Sequence, residues 1–177
     1  MRTADPETER LFIGVPLPEA TLELVRAAQE ALPAVRGLKR GRPEQVHVTL
    51  AFMGDVGFRA REAARRVVAS IPRDAGGLTA LGGYVLLPSA RRPRVVALGV
   101  DDPAGVLAGL FELVMGGLER EQVMRREKRP FLAHATIARL RDPVQIGLKS
   151  ECGRAPFPVK SVRLYRSELR SEGALYT

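Results

Sequence analysis

The sequence predicts an α+β fold built on a duplicated strand–helix–strand unit, each copy supplying one histidine. Three observations carry that prediction. A strand–helix–strand pattern is written twice along the 177 residues. Each copy ends on a strand bearing a histidine, and the chain has only two histidines. The residues around them match: His47-Val48-Thr49-Leu50-Ala51 and His134-Ala135-Thr136-Ile137-Ala138, each with a proline four places earlier, Pro43 and Pro130. Seven threonines in 177 residues put one two places after a given histidine about 4% of the time, and after both about 0.16% of the time. The pairing reads as a duplication.

Residues 1–9 are polar. Leu11-Phe12-Ile13-Gly14-Val15 is a short apolar run closed by Pro16-Leu17-Pro18, the signature of a buried strand. From Glu19 to Leu32 apolar residues recur at helical spacing, and Pro33 stops the helix. Lys39-Arg40-Gly41-Arg42-Pro43 reads as a basic loop, followed by the strand of His47 and a second helix over about 58–70. Residues 78–87 form a strand whose hairpin turn is the basic, proline-rich 88–93. In the second copy, Arg94 to Val100 is a strand whose Gly99-Val100 echoes Gly14-Val15. Asp101-Asp102-Pro103 signals a helix start, with Leu107, Leu110, Phe111 and Val114 on the apolar face. A second basic loop, 125–130, leads into the strand of His134, and further strands fall around 159–165 and 173–176. The expected organisation is one bilobal domain over 1–177. Its first repeat spans about 10–75, its second about 94–142, and its C-terminal strands 157–177.

A net charge of +8 fits either a polyanionic partner or a solvated basic surface. Only Lys39, Lys128, Lys149 and Lys160 are lysine among 28 basic residues, leaving 24 arginines. Arginine matches phosphate better than lysine does, but the abundance of Ala, Gly, Val and Pro is equally the mark of a GC-rich genome. Cys152 is the only cysteine, so no intrachain disulfide forms and the cytoplasm is the expected compartment. No apolar stretch approaches a membrane span, and the start of the chain has no apolar h-region.

Side chains alternate along a strand, so His47 projects with Thr49 and His134 with Thr136, while Val48, Leu50, Ala135 and Ile137 face the core. If the two strands line one groove, two imidazoles and two hydroxyls converge. The hydroxyls suit the non-bridging oxygens of a phosphate. One imidazole removes a proton from the attacking oxygen and the other protonates the leaving oxygen. A single His-x-Thr in a strand is ordinary; the duplicate is what argues for chemistry. Two histidines 87 residues apart, with no patterned Cys, Asp or Glu, give no metal-ligand set, and no P-loop spacing occurs. No cofactor is expected.

These residues resemble the 2H phosphoesterase superfamily. More narrowly they are similar to the bacterial and archaeal RNA 2′,3′-cyclic phosphodiesterases, once described as 2′-5′ RNA ligases. The resemblance rests on Arg10-Leu11-Phe12-Ile13, on His47 to Gly54, on Pro130 to Arg139 and on Leu164 to Leu169 with Gly173 and Tyr176. Ala133 stands where many relatives have proline. The resemblance implies two pseudo-symmetric α+β lobes, with largely antiparallel sheets flanking a central cleft, and opening of a 2′,3′-cyclic phosphate to a 2′-phosphomonoester. In it His47 is the proton donor, His134 the proton acceptor, Thr49 and Thr136 the phosphate-holding hydroxyls, and Arg139 a substrate-site arginine. Strict alternation from His134 puts Arg139 on the wrong face, so that role requires a bulge or a strand end. The expected partners are RNA with 2′,3′-cyclic phosphate ends or small cyclic nucleotides. A cleft completed within one chain predicts a monomer without membrane contact. The alternatives are 2′-5′ RNA ligase or phosphodiesterase activity, and a basic module that binds RNA without turning it over.

Overall fold

The computed structural model describes residues 8–148, 152–170 and 173–177. Among these, β1 (Glu9–Pro16), β3 (His47–Val56), β8 (Arg163–Arg170) and β9 (Gly173–Tyr176) form one half of an antiparallel sheet, in the order β3-β1-β8-β9. In the other half, β6 (His134–Leu140), β5 (Val95–Asp101), β4 (Gly77–Leu87) and β7 (Arg154–Val159) run in the order β6-β5-β4-β7. The two halves meet where β3 lies beside β6, through the single antiparallel pair Val48–Ala135. Each is the residue between His and Thr of its motif, so a pseudo-two-fold axis passes between the motifs. That register sets His47 across from Thr136 and Thr49 across from His134.

Three helices, α1 (Leu22–Glu30), α2 (Phe58–Ala69) and α3 (Val106–Arg120), cover one face of the sheet. Val25, Ala28, Leu107, Leu110, Val114 and Leu118 pack with Val48, Leu50, Ala135 and Ile137 into one core. The helices are exchanged between repeats. Helix α1, which follows β1, reaches the second histidine strand, where Gln29 Nε2 donates to the carbonyl of Ile137 at 2.9 Å. Helix α3, which follows β5, packs on β3. None of the described helices is long and apolar enough to cross a membrane.

Several elements differ from the sequence expectation. The basic 39–43 stretch is not a simple loop: β2 (Leu38–Arg40) pairs with β6, and Pro43–Gln45 forms a 3-10 turn. Helix α3 starts at Val106 rather than beside Pro103. The Asp102 carboxylate still caps it, accepting from the amides of Val106, Leu107 and Ala108 at 2.7, 2.9 and 3.1 Å. The chain reaches that start through Gly105, whose φ of +68° suits a residue without a side chain. The strand expected over 159–165 is two strands, β7 and β8, parted at Lys160–Val162. The Gly-Val echo is out of phase by two residues, since Gly99 pairs with His134 while Pro16 pairs with His47.

Candidate active site

The two motif strands have the same burial profile over their first six residues: histidine and threonine half-buried, the residues between and after them buried, the sixth exposed. Val48, Ala135 and Ile137 have no exposed surface and Leu50 is 4% exposed, so they anchor the strands from the helix side. His47, Thr49, His134 and Thr136 stand on the other face. Both strands also bulge at the same place. Thr49 pairs with Gly14 but Ala51 with Ile13; Thr136 pairs with Ala97 but Ala138 with Val96. Leu50 and Ile137 are the extra residues. A bulge shifts the alternation by one, so the sixth residue returns to the histidine face. That residue is Phe52 in one half and Arg139 in the other.

Both imidazoles are held alike. His47 Nδ1 is 2.7 Å from the carbonyl oxygen of Gln45, and His134 Nδ1 is 2.7 Å from that of Leu132. A carbonyl only accepts, so Nδ1 carries the hydrogen in each ring and Nε2 is the nitrogen able to gain or lose a proton. Their surroundings differ. The His47 ring stacks on Phe12 at 4.5 Å, lies 5.7 Å from Tyr165, and meets Tyr176 edge-on at 5.0 Å. Burial among these rings holds the His47 pKa below its ordinary value. The Gln45 carbonyl works in the opposite sense, while the charges of Arg139 and His134 deepen the depression. The Arg139 influence places its guanidinium within electrostatic reach of His47. Burial raises the Tyr165 phenol pKa, partly countered by Arg163, so that wall stays uncharged near neutrality.

Gly14 leaves room for this arrangement. A β-carbon there would lie 2.8 Å from the Val48 carbonyl oxygen and 3.4 Å from His47 Cδ2. Among the described residues no three His, Cys, Asp or Glu side chains gather into a metal-ligand set. The aromatic wall of Phe12, Tyr165 and Tyr176 had no assigned role in the sequence reading. Its one signal was that two of three tyrosines fall in the last thirteen residues, but their convergence on His47 depends on β8 and β9 pairing beyond β1.

Comparison with known proteins agrees with this architecture. The family model described as LigT like Phosphoesterase matches residues 15–97. A Methanothermobacter thermautotrophicus protein named RNA 2′,3′-cyclic phosphodiesterase is 31% identical, with 95% of each chain covered. The chain belongs to the LigT-like phosphoesterases. A Thermus thermophilus relative of the same name is 32% identical over 95% of this chain and 86% of its own length. Among solved structures, E. coli LigT complexed with 3′-AMP superposes on this phosphoesterase with a TM-score of 0.81 at 25% identity, covering 97% and 95% of the two chains. A solved Thermus thermophilus protein, TT0787, gives 0.78 at 27% identity, covering 95% and 93%.

Proposed function

We propose that this phosphoesterase hydrolyses RNA or nucleotide 2′,3′-cyclic phosphate ends to 2′-phosphomonoesters, with His47 and His134 as the acid–base pair. The observation that carries the reading is the pair of imidazoles on either side of a pseudo-two-fold axis, on one face of the sheet and each held through Nδ1 by a backbone carbonyl. A phosphate on that axis has a histidine on each side, which is what in-line displacement at phosphorus needs. The relatives' shared name supplies the substrate class.

His134 Nε2 takes the proton of a water whose oxygen bonds to phosphorus. The bond from phosphorus to the 3′ oxygen breaks opposite it, and His47 Nε2–H protonates the departing oxygen. The products are a 2′-phosphate and a 3′-hydroxyl, with the proton gained by His134 returned through solvent. Thr49 and Thr136 donate their hydroxyls to the non-bridging oxygens. Arg139 offsets the charge that accumulates on them. The phosphodiester also bears on His47 directly, because a nearby negative charge favours the imidazolium that burial disfavours.

The test is phosphorus NMR of a short RNA with a 2′,3′-cyclic phosphate end, incubated with the protein in excess EDTA. The cyclic signal should convert to the 2′-phosphate alone. His47→Ala or His134→Ala should slow conversion by about 10²–10⁴-fold with RNA binding kept, the usual contribution of a positioned acid or base. Bound RNA with no turnover by the wild type would overturn the reading in favour of a binding module.

A further inference from the structure

We propose that Lys39 is a specificity-determining residue that grips the phosphate one nucleotide upstream of the reacting one, so that the groove favours RNA ends over mononucleotides. This rests on the cyclic phosphodiesterase reading above.

The placement follows from β2. Its residues alternate, and Arg40 is fixed on the helix side: its Nε donates to the Gln29 carbonyl at 2.8 Å and a terminal guanidinium nitrogen to the Leu32 carbonyl at 3.0 Å, both at the end of α1. Leu38 packs against the core on that same side. Lys39 therefore faces the opposite way, into the histidine groove. Its partner in register is Arg139, which the β6 bulge has turned onto that face. Directly paired strand residues share a face, so two cations stand side by side there, both exposed.

Some of the cations elsewhere are matched with acids. Arg10, Arg26, Arg61, Arg66, Arg126, Arg154 and Arg166 each lie in an ion pair. Among the described residues neither the Lys39 nor the Arg139 side chain has an ion-pair partner. Like charges directly opposite each other destabilise a sheet, and an anion between them removes that cost. Three residues of strand, at about 3.3 Å each, separate Arg139 from Thr136. Lys39 lies one strand further out, across about 4.8 Å. Lys39 is thus the outermost of these positions, beyond Arg139 as seen from the threonines, where the next phosphate along a strand would pass.

The experiment compares kcat/KM on a 2′,3′-cyclic mononucleotide and on an oligoribonucleotide ending in the same group, for wild type, Lys39→Gln and Lys39→Arg, across salt concentrations. Lys39→Gln should raise KM several-fold more for the oligonucleotide than for the mononucleotide, with kcat little changed. It should also flatten the oligonucleotide's log–log salt dependence by about 0.7, the value of one single-strand phosphate contact. Lys39→Arg should restore both. Equal losses on the two substrates, or an unchanged salt slope, would overturn the subsite while leaving the phosphodiesterase reading intact. Failure of the wild type on both substrates would take both down.

Discussion

At the scale of single residues, the site depends on a glycine and on a desolvated imidazole. Gly14 lies where β1, Val48 and the His47 ring converge, and the clearance of 2.8 Å to a backbone oxygen is one that a side-chain movement cannot relieve. Gly14→Ala should fold, yet displace the His47 ring and lower kcat by at least about tenfold, since misplacement of about 1 Å near a reacting centre costs up to 10²-fold. Unchanged kcat with a native circular dichroism spectrum would refute that. His47 makes a second prediction, in pH. Its pKa is lowered in the folded state, chiefly by burial, so between the folded and unfolded values the unfolded chain binds more protons. Stability linked to this ring is therefore complete above the unfolded pKa of about 6.5 and is lost as pH falls through the folded value. Wild-type Tm should drop on acidification from about pH 7.5 to about pH 5 by more than that of His47→Gln. Histidine NMR should show His47 titrating low in the free protein and rising when inorganic phosphate is added. A His47 resonance that phosphate leaves unmoved would favour the reversed assignment, with His47 as base, which its neutral resting form also suits.

At the scale of elements, the paired bulges and the cap on α3 show what was legible in the chain. The duplicated His-x-Thr was visible as sequence, and its alternation correctly separated Val48, Leu50, Ala135 and Ile137 from the groove. The bulges were not visible, because a bulge is a property of two strands in register and a single strand's pattern carries only its own half. Arg139 shows the consequence: alternation alone turns it away, and one extra residue at Ile137 brings it back. Lys39 and Arg40 were likewise one basic stretch until the pairing of β2 with β6 gave them opposite faces. At the helix start the sequence carries the chemistry of the cap but not its geometry. Asp102 reaches three amides across a turn rather than capping the next residue. Asp102→Ala should therefore cost about 1–2 kcal/mol, the upper part of the range for a lost cap. Denaturant unfolding would measure it, and a loss under a few tenths of a kcal/mol would show that water replaces the carboxylate. Because α3 packs on β3, part of that loss should appear as reduced activity at elevated temperature.

At the scale of the molecule, the question is whether two halves joined by one strand pair behave as two units. Only Val48–Ala135 pairs β3 with β6, which alone would be a weak seam. The exchanged helices change that. Helix α1 belongs to the first repeat and is bonded to the second histidine strand through Gln29, while α3 belongs to the second repeat and covers the first. Neither half can lose its partner without exposing its own apolar face, and one core of buried side chains runs beneath both. We propose accordingly that 1–177 is a single cooperative domain rather than two lobes that fold alone. Unfolding followed by far-ultraviolet circular dichroism and by tyrosine fluorescence should give coincident transitions with one midpoint. The tyrosines are well placed to decide this: Tyr165 and Tyr176 report the His47 half, and Tyr84, whose hydroxyl donates to the Ala28 carbonyl at 2.9 Å, reports the seam between α1 and the other half. A tyrosine transition preceding the loss of secondary structure would mean the halves separate first. The groove between them would then open as a hinge, and its histidines would be poised by that motion rather than by a fixed sheet.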